Sequence, residues 1–495
     1  MGLRDKKNIF SVLALFLLIL IGSNLATYYF VESRVGIAVS AEEDATTVIK
    51  YAPQSQGLVG DAAIIQEAID TIKASYFYPV EDDLLIEGAV RGMIESIGDP
   101  HVRYYDFEAL EEFMTETKGT YGGIGVRIIE ANGSIVVFET FADSPADRGG
   151  LSPGDRILEA DGSELTGQGL SFAVGLLRGP SDTTVDVLIK RPGADEPFSL
   201  TVAREEIRVA TVSGEMLESG LGYIQISSFD SNTAGEFAEQ FKTMEKSGLG
   251  KGLILDLRNN PGGLVDQAVE IAKLIVPEGE IVRLVGRDDD VKMIYYSSAV
   301  KRPYPIVVLI NEESASASEL LAGALQDRGA ALLVGKTTYG KASVQQLEFL
   351  SSGTAILVTV AKYFTPSGHD IDKNGIKPDF DVPMPEILRY YRYFHPDRLE
   401  SGSYGPEVEM LQLMLEQIGY QIEVTGYFDE QTAEAIKTFQ QSADIFGSGE
   451  FNDLTWVELR EALDEASWEQ DDQLKYAIDL FKKPGIWTLT GESDQ

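Results

Sequence analysis

The stretch NEESASASELLAGALQDRG, residues 311–329, places Ser314, Ser316 and Ser318 at alternate positions. They fall where a strand-like apolar run, IVVLI, gives way to a helix-like run. Serine is a weak filler of a helix interior, because its hydroxyl competes for backbone hydrogen bonds. Taken singly, each of the three reads as a helix N-cap. A nucleophilic serine needs instead a group that takes its proton. The chain offers three histidines, His101, His369 and His395. His101 follows Asp99-Pro100 at the end of a helical segment, and His395 lies in YRYFHPDRL; both read as packing or surface residues. His369, in TPSGHD, leaves a Ser-His-Asp triad open, although no pattern ties it to a serine. Lysine is the other base. At its unperturbed pKa only about one lysine in a few thousand is neutral at pH 7, but burial lowers that pKa. Lys341 sits between Gly340 and Ala342, in a turn of small residues where its tip can lose water. Lys336 is the rival, placed at a strand exit. A helix starting after Ser316 would offer free N–H groups to developing negative charge, with the Ala317 N–H as one oxyanion donor.

The residues SASASEL and AGALQD, followed by GKTTYGKASVQ, resemble the C-terminal processing peptidases, or tail-specific proteases. That resemblance implies a serine protease with a Ser/Lys pair. Ser316 would be the nucleophile, Lys341 the base and Gln345 the residue that positions the lysine. The loop DLRNNPGG matches the family's D-L-R-x-N-x-G-G, which implies Gly262 or Gly263 as a second oxyanion donor beside Ala317. One departure is Ala342, where the family commonly has glycine; alanine fits there unless φ is positive. The implied reaction is acyl transfer through an acyl-enzyme, with no cofactor and no metal. Asp327 is read as structural. The joint occurrence of the serine run, Lys341 and Gln345 argues that these residues are not all structural.

These residues need a scaffold. From residue 221 onward strand-like and helix-like runs alternate, which reads as an α/β core. Before it, YGGIGV (121–126) and SPADRGGLSPGDRIL (144–158) occur in order and resemble a PDZ domain. The resemblance implies a loop of Gly122, Gly123, Ile124 and Gly125 whose N–H groups hold a peptide carboxylate while the peptide adds as a strand. Arg178, in LLRG, matches a position implied to couple peptide binding to the active site. After the core, the pattern G-x-x-V-x-x-L-Q-x-x-L-x-x-x-G-Y, continued by G-x-F-D-x-x-T-x-x-A-I-x-x-F-Q, resembles the peptidoglycan-binding repeat. Its apolar positions serve equally as helix core.

Near the N-terminus, Arg4, Lys6 and Lys7 precede an uncharged stretch, residues 8–31, long enough to cross a bilayer. The flanking basic residues put the N-terminus in the cytoplasm and the remainder outside. An uncleaved anchor is favoured over a signal peptide, since Asn24 spoils the cleavage pattern at Ala26. Composition bounds the partners. With 41 basic against 79 acidic residues the net charge is −38, which disfavours nucleic acid. Without cysteine, disulfides, thiolate metal sites and a Cys nucleophile are excluded.

The expected fold is multidomain α/β. It comprises a transmembrane helix (8–31), a tether (32–60), a helical region (61–107) and a mostly-β PDZ domain (108–195). A protease core (196–385), ClpP/crotonase-like by resemblance, follows. A linker (386–401), a three-helix peptidoglycan-binding module (402–465) and a tail (466–495) complete it. The tail carries one amphipathic helix, either solvated or docked on a partner. The expected function is a single-pass, membrane-anchored extracytoplasmic serine endopeptidase. Its partners would be proteins with exposed C-termini, the membrane and peptidoglycan, with homo-oligomerisation left open. The competing reading is an inactive wall-associated scaffold that presents the PDZ and wall-binding modules.

Overall fold

The computed structural model describes residues 63–487, apart from residues 132, 218, 385–393, 395–397, 444 and 484. The apolar stretch 8–31, the tether and His395 lie outside the described residues. No described helix is long and apolar enough to cross a membrane.

The helical spacing after residue 61 forms α1 (Ala63–Ser75) and α2 (Asp82–Glu95). A short strand, β1 (Arg103–Tyr105), and α3 (Phe107–Lys118) follow. Asp106 starts α3 by accepting the Ala109 N–H at 2.9 Å, and Gly119 ends it in the left-handed conformation.

A β-rich unit comes next. Its strands are β2 (Thr120–Gly123), β3 (Val126–Ala131), β4 (Ser134–Thr140), β5 (Arg156–Ala160), β6 (Ser163–Glu164), β7 (Thr183–Lys190) and β8 (Phe198–Arg208). Helices α4 (Pro145–Gly149) and α5 (Leu170–Leu177) complete it. The sheet order is β2-β8-β7-β5-β4-β3, with β6 on β5. Ser144 caps α4 through the Asp147 N–H, with Pro145 in the first turn, as SPAD suggests. The sheet does not stop near residue 195. β8 runs on to Arg208, pairing with both β7 and β2. Its inward residues include Val202, Arg204 and Ile207, and the buried Arg204 among them masks the alternation.

The α/β core is built on β9 (Val212–Met216), β10 (Gly222–Ile226), β11 (Leu253–Asp256), β14 (Ile306–Ile310), β15 (Ala331–Gly335) and β18 (Phe380–Asp381). Their order is β18-β15-β14-β11-β10-β9, parallel except for β9. On one face pack α6 (Thr233–Lys246), α7 (Val265–Ile275) and α8 (Ala317–Asp327). A second sheet holds β12 (Gly279–Val285), β13 (Val291–Ser297), β16 (Ser343–Phe349) and β17 (Ala355–Phe364). β1 joins this sheet, pairing Arg103 with Leu357 and Tyr105 with Ala355 on β17.

Strand β14 shows why IVVLI lacks alternation. Ile306, Val308 and Ile310 enter the core beneath the three helices, while Val307 and Leu309 enter a separate cluster on the opposite face. A parallel strand covered on both faces reads as continuously apolar.

The C-terminal part supplies α9 (Pro406–Gln417), α10 (Glu430–Ser442) and α11 (Asp453–Gln470), then α12 (Asp472–Leu480). The first three enclose Leu411, Leu415, Phe428, Phe439 and Trp456. The conspicuous glutamines of the repeat are buried connectors. Gln412 Oε1 accepts the Thr425 and Gly426 N–H groups, and its Nε2 donates to Thr432 Oγ1 at 2.9 Å. The module also touches the β-rich unit, where the Arg460 guanidinium lies 3.9 Å from the Phe138 ring centre. The tail helix α12 is docked on its own chain rather than left in solvent. It covers the opposite face of the parallel sheet with Leu474, Ala477 and Leu480. An amphipathic helix does not name its cover, but a two-faced apolar strand requires one.

Candidate active site

The parallel strands β11 and β14 end side by side, and the loops leaving their carboxyl ends meet there, as expected for an open α/β sheet. After β11 comes the loop DLRNNPGG, and after β14 the serine turn. Asn260 laces the two together. Its carbonyl accepts the Ala315 N–H and the Ser318 hydroxyl, both at 3.0 Å, and its Oδ1 accepts the Gly262 N–H at 2.9 Å.

The three serines separate by role. Ser314 Oγ donates to the Leu257 carbonyl and accepts the Asn311 N–H, and Ser318 Oγ is spent on Asn260. Ser316 sits immediately before α8 with φ 54° and ψ −113°. That left-handed conformation is costly for a residue with a Cβ and persists only when its surroundings hold it. Here they do. Glu319 Oε2 accepts the Ser316 N–H at 2.9 Å, and the Tyr363 hydroxyl donates to the Ser316 carbonyl at 2.7 Å.

Lys341 lies across from this turn. Burial lowers its pKa and the Arg103 charge adds to that, while Asp99 and Glu319 oppose. Lys336 instead pairs with Asp381 at 2.5 Å. His369 is exposed and shares Ser367 and Asp327, with no bond to Ser316. Asp327 accepts the Ser367 N–H and hydroxyl, a structural role. Ala342 is buried and does not have a positive φ, so its methyl is accommodated. Among the described residues no hydrogen bond joins Lys341 Nζ to Ser316 Oγ or to Gln345. The Gln345 amide reaches Thr359 Oγ1 at 3.3 Å.

The candidate oxyanion donors differ in their surroundings. A Cβ on Gly262, which has φ +103°, would lie 2.7 Å from Ser316 Cβ and 3.0 Å from Ala317 N. Glycine is therefore required where the loop meets the Ser316 turn. The Gly262 N–H, however, is committed to Asn260. Among the described residues the Gly263 and Ala317 N–H groups carry no hydrogen bond.

The PDZ-like residues form a second candidate site. Gly122 and Gly123 belong to β2, paired with Glu206 and Glu205, so the open loop is Ile124–Gly125. Gly125 has φ +79°, and a Cβ there would strike Ser144. Beyond the loop, β3 is the free edge of the sheet. A cavity of about 240 Å³ opens there, lined by Tyr121, Ile124, Val126, Ile128, Val174 and Leu177. Arg178 also lines it and stacks on Tyr121, 4.9 Å from the ring centre.

Family models match this layout in order. Peptidase family S41 covers residues 220–382, a PDZ domain 113–190 and a peptidoglycan binding domain 404–459. The activating protease CtpB N-terminal domain covers residues 19–109. Carboxy-terminal processing protease CtpA of Bacillus subtilis is 33% identical over 434 residues, spanning 87% of this chain and 92% of its own. CtpB of the same organism is 31% identical, spanning 83% of this chain and 86% of its own. The chain belongs to peptidase family S41, among the carboxy-terminal processing proteases. A carboxy-terminal-processing protease of Bartonella bacilliformis is 37% identical over 332 residues, covering 66% of this chain and 76% of its own.

Two buried residues of this serine peptidase went unread in the sequence. Glu319 is fully buried, and burial raises its pKa against four opposing donors. These are the Thr338 hydroxyl and the N–H groups of Ser316, Gly340 and Lys341. One carboxylate thus gathers the backbones of both candidate catalytic residues. Tyr363 does the same from the carbonyl side, its hydroxyl reaching Ser316 O at 2.7 Å and Lys341 O at 3.0 Å. The only sequence signal for Glu319 is its capping-box spacing after Ser316. Tyr363 has none.

Proposed function

We propose that the peptidase is a membrane-anchored, extracytoplasmic endopeptidase that cuts proteins recognised through their C-termini, with Ser316 as nucleophile and Lys341 as base. The single observation that carries this reading is the held left-handed turn at Ser316, bound through Glu319 to the backbone of Lys341. Neutral Lys341 takes the Ser316 proton as Oγ attacks a peptide carbonyl. The resulting oxyanion is met by the Gly263 and Ala317 N–H groups. Protonated Lys341 then gives its proton to the leaving amine, and a water activated by the same lysine releases the acyl-enzyme. Transfer requires Nζ within hydrogen-bond reach of Oγ, so the pair closes as substrate engages.

Gln345 positions the lysine, and Arg178, at the mouth of the peptide groove, couples that groove to the active site. A substrate C-terminus docks in the groove, its carboxylate at the Ile124–Gly125 loop and its chain along β3. The stretch 8–31 anchors the chain, and residues 402–465 hold it near peptidoglycan. The test is cleavage of unfolded casein by chain lacking residues 1–31. Ser316→Ala and Lys341→Ala are each expected to lower kcat by on the order of a thousandfold or more with the fold intact. Cleavage by both variants at the parental rate would reject the assignment.

A further inference from the structure

The strand β1 brings a distant piece of sequence to the lysine. Pairing of β1 with β17 sets the preceding turn, Asp99-Pro100-His101, beside Thr359 and Gln345. Thr359 Oγ1 donates to Asp99 Oδ2 at 2.8 Å, across 260 residues of sequence. Gln345 and Thr359 are register partners on β16 and β17, next to a register shift that leaves Val360 unpaired. Such a bulge re-aims side chains beside a site. Asp99 is itself fixed, because its Oδ1 accepts the His101 N–H at 2.8 Å.

The direction of this chain of bonds follows from proton counting. Burial pushes the Asp99 carboxyl up, but the His101 N–H, the Thr359 hydroxyl and the Lys341 charge hold it below its ordinary value. An ionised carboxylate only accepts. The single hydroxyl proton of Thr359 must therefore go to Asp99, and its oxygen can only accept from Gln345. That commits the Gln345 NH₂ to Thr359, in agreement with the 3.3 Å contact. Its carbonyl oxygen is left to meet a donor.

We propose that Asp99, through Thr359, fixes the orientation of the Gln345 amide so that its carbonyl receives the Lys341 ammonium, making Asp99 and Thr359 positioning residues for the base. The inference rests on the Ser316/Lys341 reading. Asp99 also acts through its charge. The charged groups around Lys341 are Asp99 and Arg103 from the N-terminal segment and Glu319 from α8, with His101 close enough that Lys341 lowers its pKa after burial does. Of these, Asp99 and Glu319 favour the protonated lysine.

The experiment measures kcat, KM and the pH profile of kcat/KM for cleavage of a fluorogenic peptide, with melting temperatures to verify folding. Activity rises with pH as Lys341 loses its proton, and the acid limb lies below the ordinary lysine value because burial lowers the pKa. Thr359→Val is expected to lower kcat roughly tenfold or more with KM little changed, and Thr359→Ser to restore it. Asp99→Asn keeps an acceptor for the His101 N–H but removes the charge, so its acid limb is expected at lower pH. A Thr359→Val enzyme as fast as Thr359→Ser, or an unmoved limb in Asp99→Asn, would overturn the inference. Lys341→Ala is the control. If it stays active the Ser/Lys reading falls; if it is inactive while Thr359→Val is unimpaired, only the positioning role does.

Discussion

Ser316 carries a backbone conformation that it would not choose, and its neighbours bear the cost. Glu319 and Tyr363 grip it from the N–H and carbonyl sides, and each also grips Lys341. Replacing Tyr363 with Phe removes one hydroxyl from a fully buried position without leaving a large void. The Ser316 and Lys341 carbonyls would each lose a donor. We expect kcat to fall roughly tenfold or more, because small misplacements of reacting groups are expensive, with KM near its parental value. Slower labelling of Ser316 by a fluorophosphonate would report the same defect without substrate. Ser316 and Lys341 were legible as candidates in the sequence because their signals are contiguous, in a serine run and a lysine among small residues. Glu319, Tyr363 and Asp99 were not. Glu319 shows only its capping-box spacing to Ser316, and the contacts that tie the three residues to the site reach 22, 47 and 260 residues along the chain. That the Gly262 N–H is bound to Asn260, which separates it from Gly263, also needed coordinates.

At the scale of elements, β3 offers a free edge beside α5, and the cavity there is walled by aliphatic and aromatic groups. An edge strand can pair with a peptide backbone, and the Ile124–Gly125 turn is the proposed reader of its terminus. A substrate-derived peptide with an amidated C-terminus should therefore bind about tenfold or more weaker than its free acid by calorimetry, since a charge-assisted contact is lost. Equal affinity would place recognition elsewhere. Much of this layer could be read from pattern. The order of strands and helices in the core and the helices of the C-terminal module follow the apolar spacing. The PDZ-like sheet was read one strand short, because Arg204 occupies an inward position of β8 and disguises its period. The strand role of Arg103–Tyr105 was also missed. Three residues are too few to show alternation, and their partner β17 lies far along the chain.

At the scale of the molecule, α12 is tied to the catalytic core by charge as well as by packing. Arg258, in the DLRNN segment, is buried against Asp256 at 2.5 Å and Asp471 at 2.7 Å. Gln473 links Arg258 to the Val382 carbonyl. Burial opposes the guanidinium charge, and the two aspartates more than restore it, so the arginine stays ionised. Truncating the fully buried Leu480 to Ala should cost about 2–5 kcal/mol, the range for a buried leucine, measured by denaturant unfolding. A loss below about 0.5 kcal/mol would mean that the helix contributes little to the core.

The docking of α12 also sets a schedule for synthesis. Arg258 and Gln473 are 215 residues apart, and the face of the sheet that holds Val307, Leu309 and Val334 gains the cover of α12 only once residue 480 has been made. A nascent chain halted in the C-terminal three-helix module would hold every candidate catalytic side chain named above yet leave Val307, Leu309 and Val334 without the cover of α12. Such a fragment is expected to be prone to aggregation.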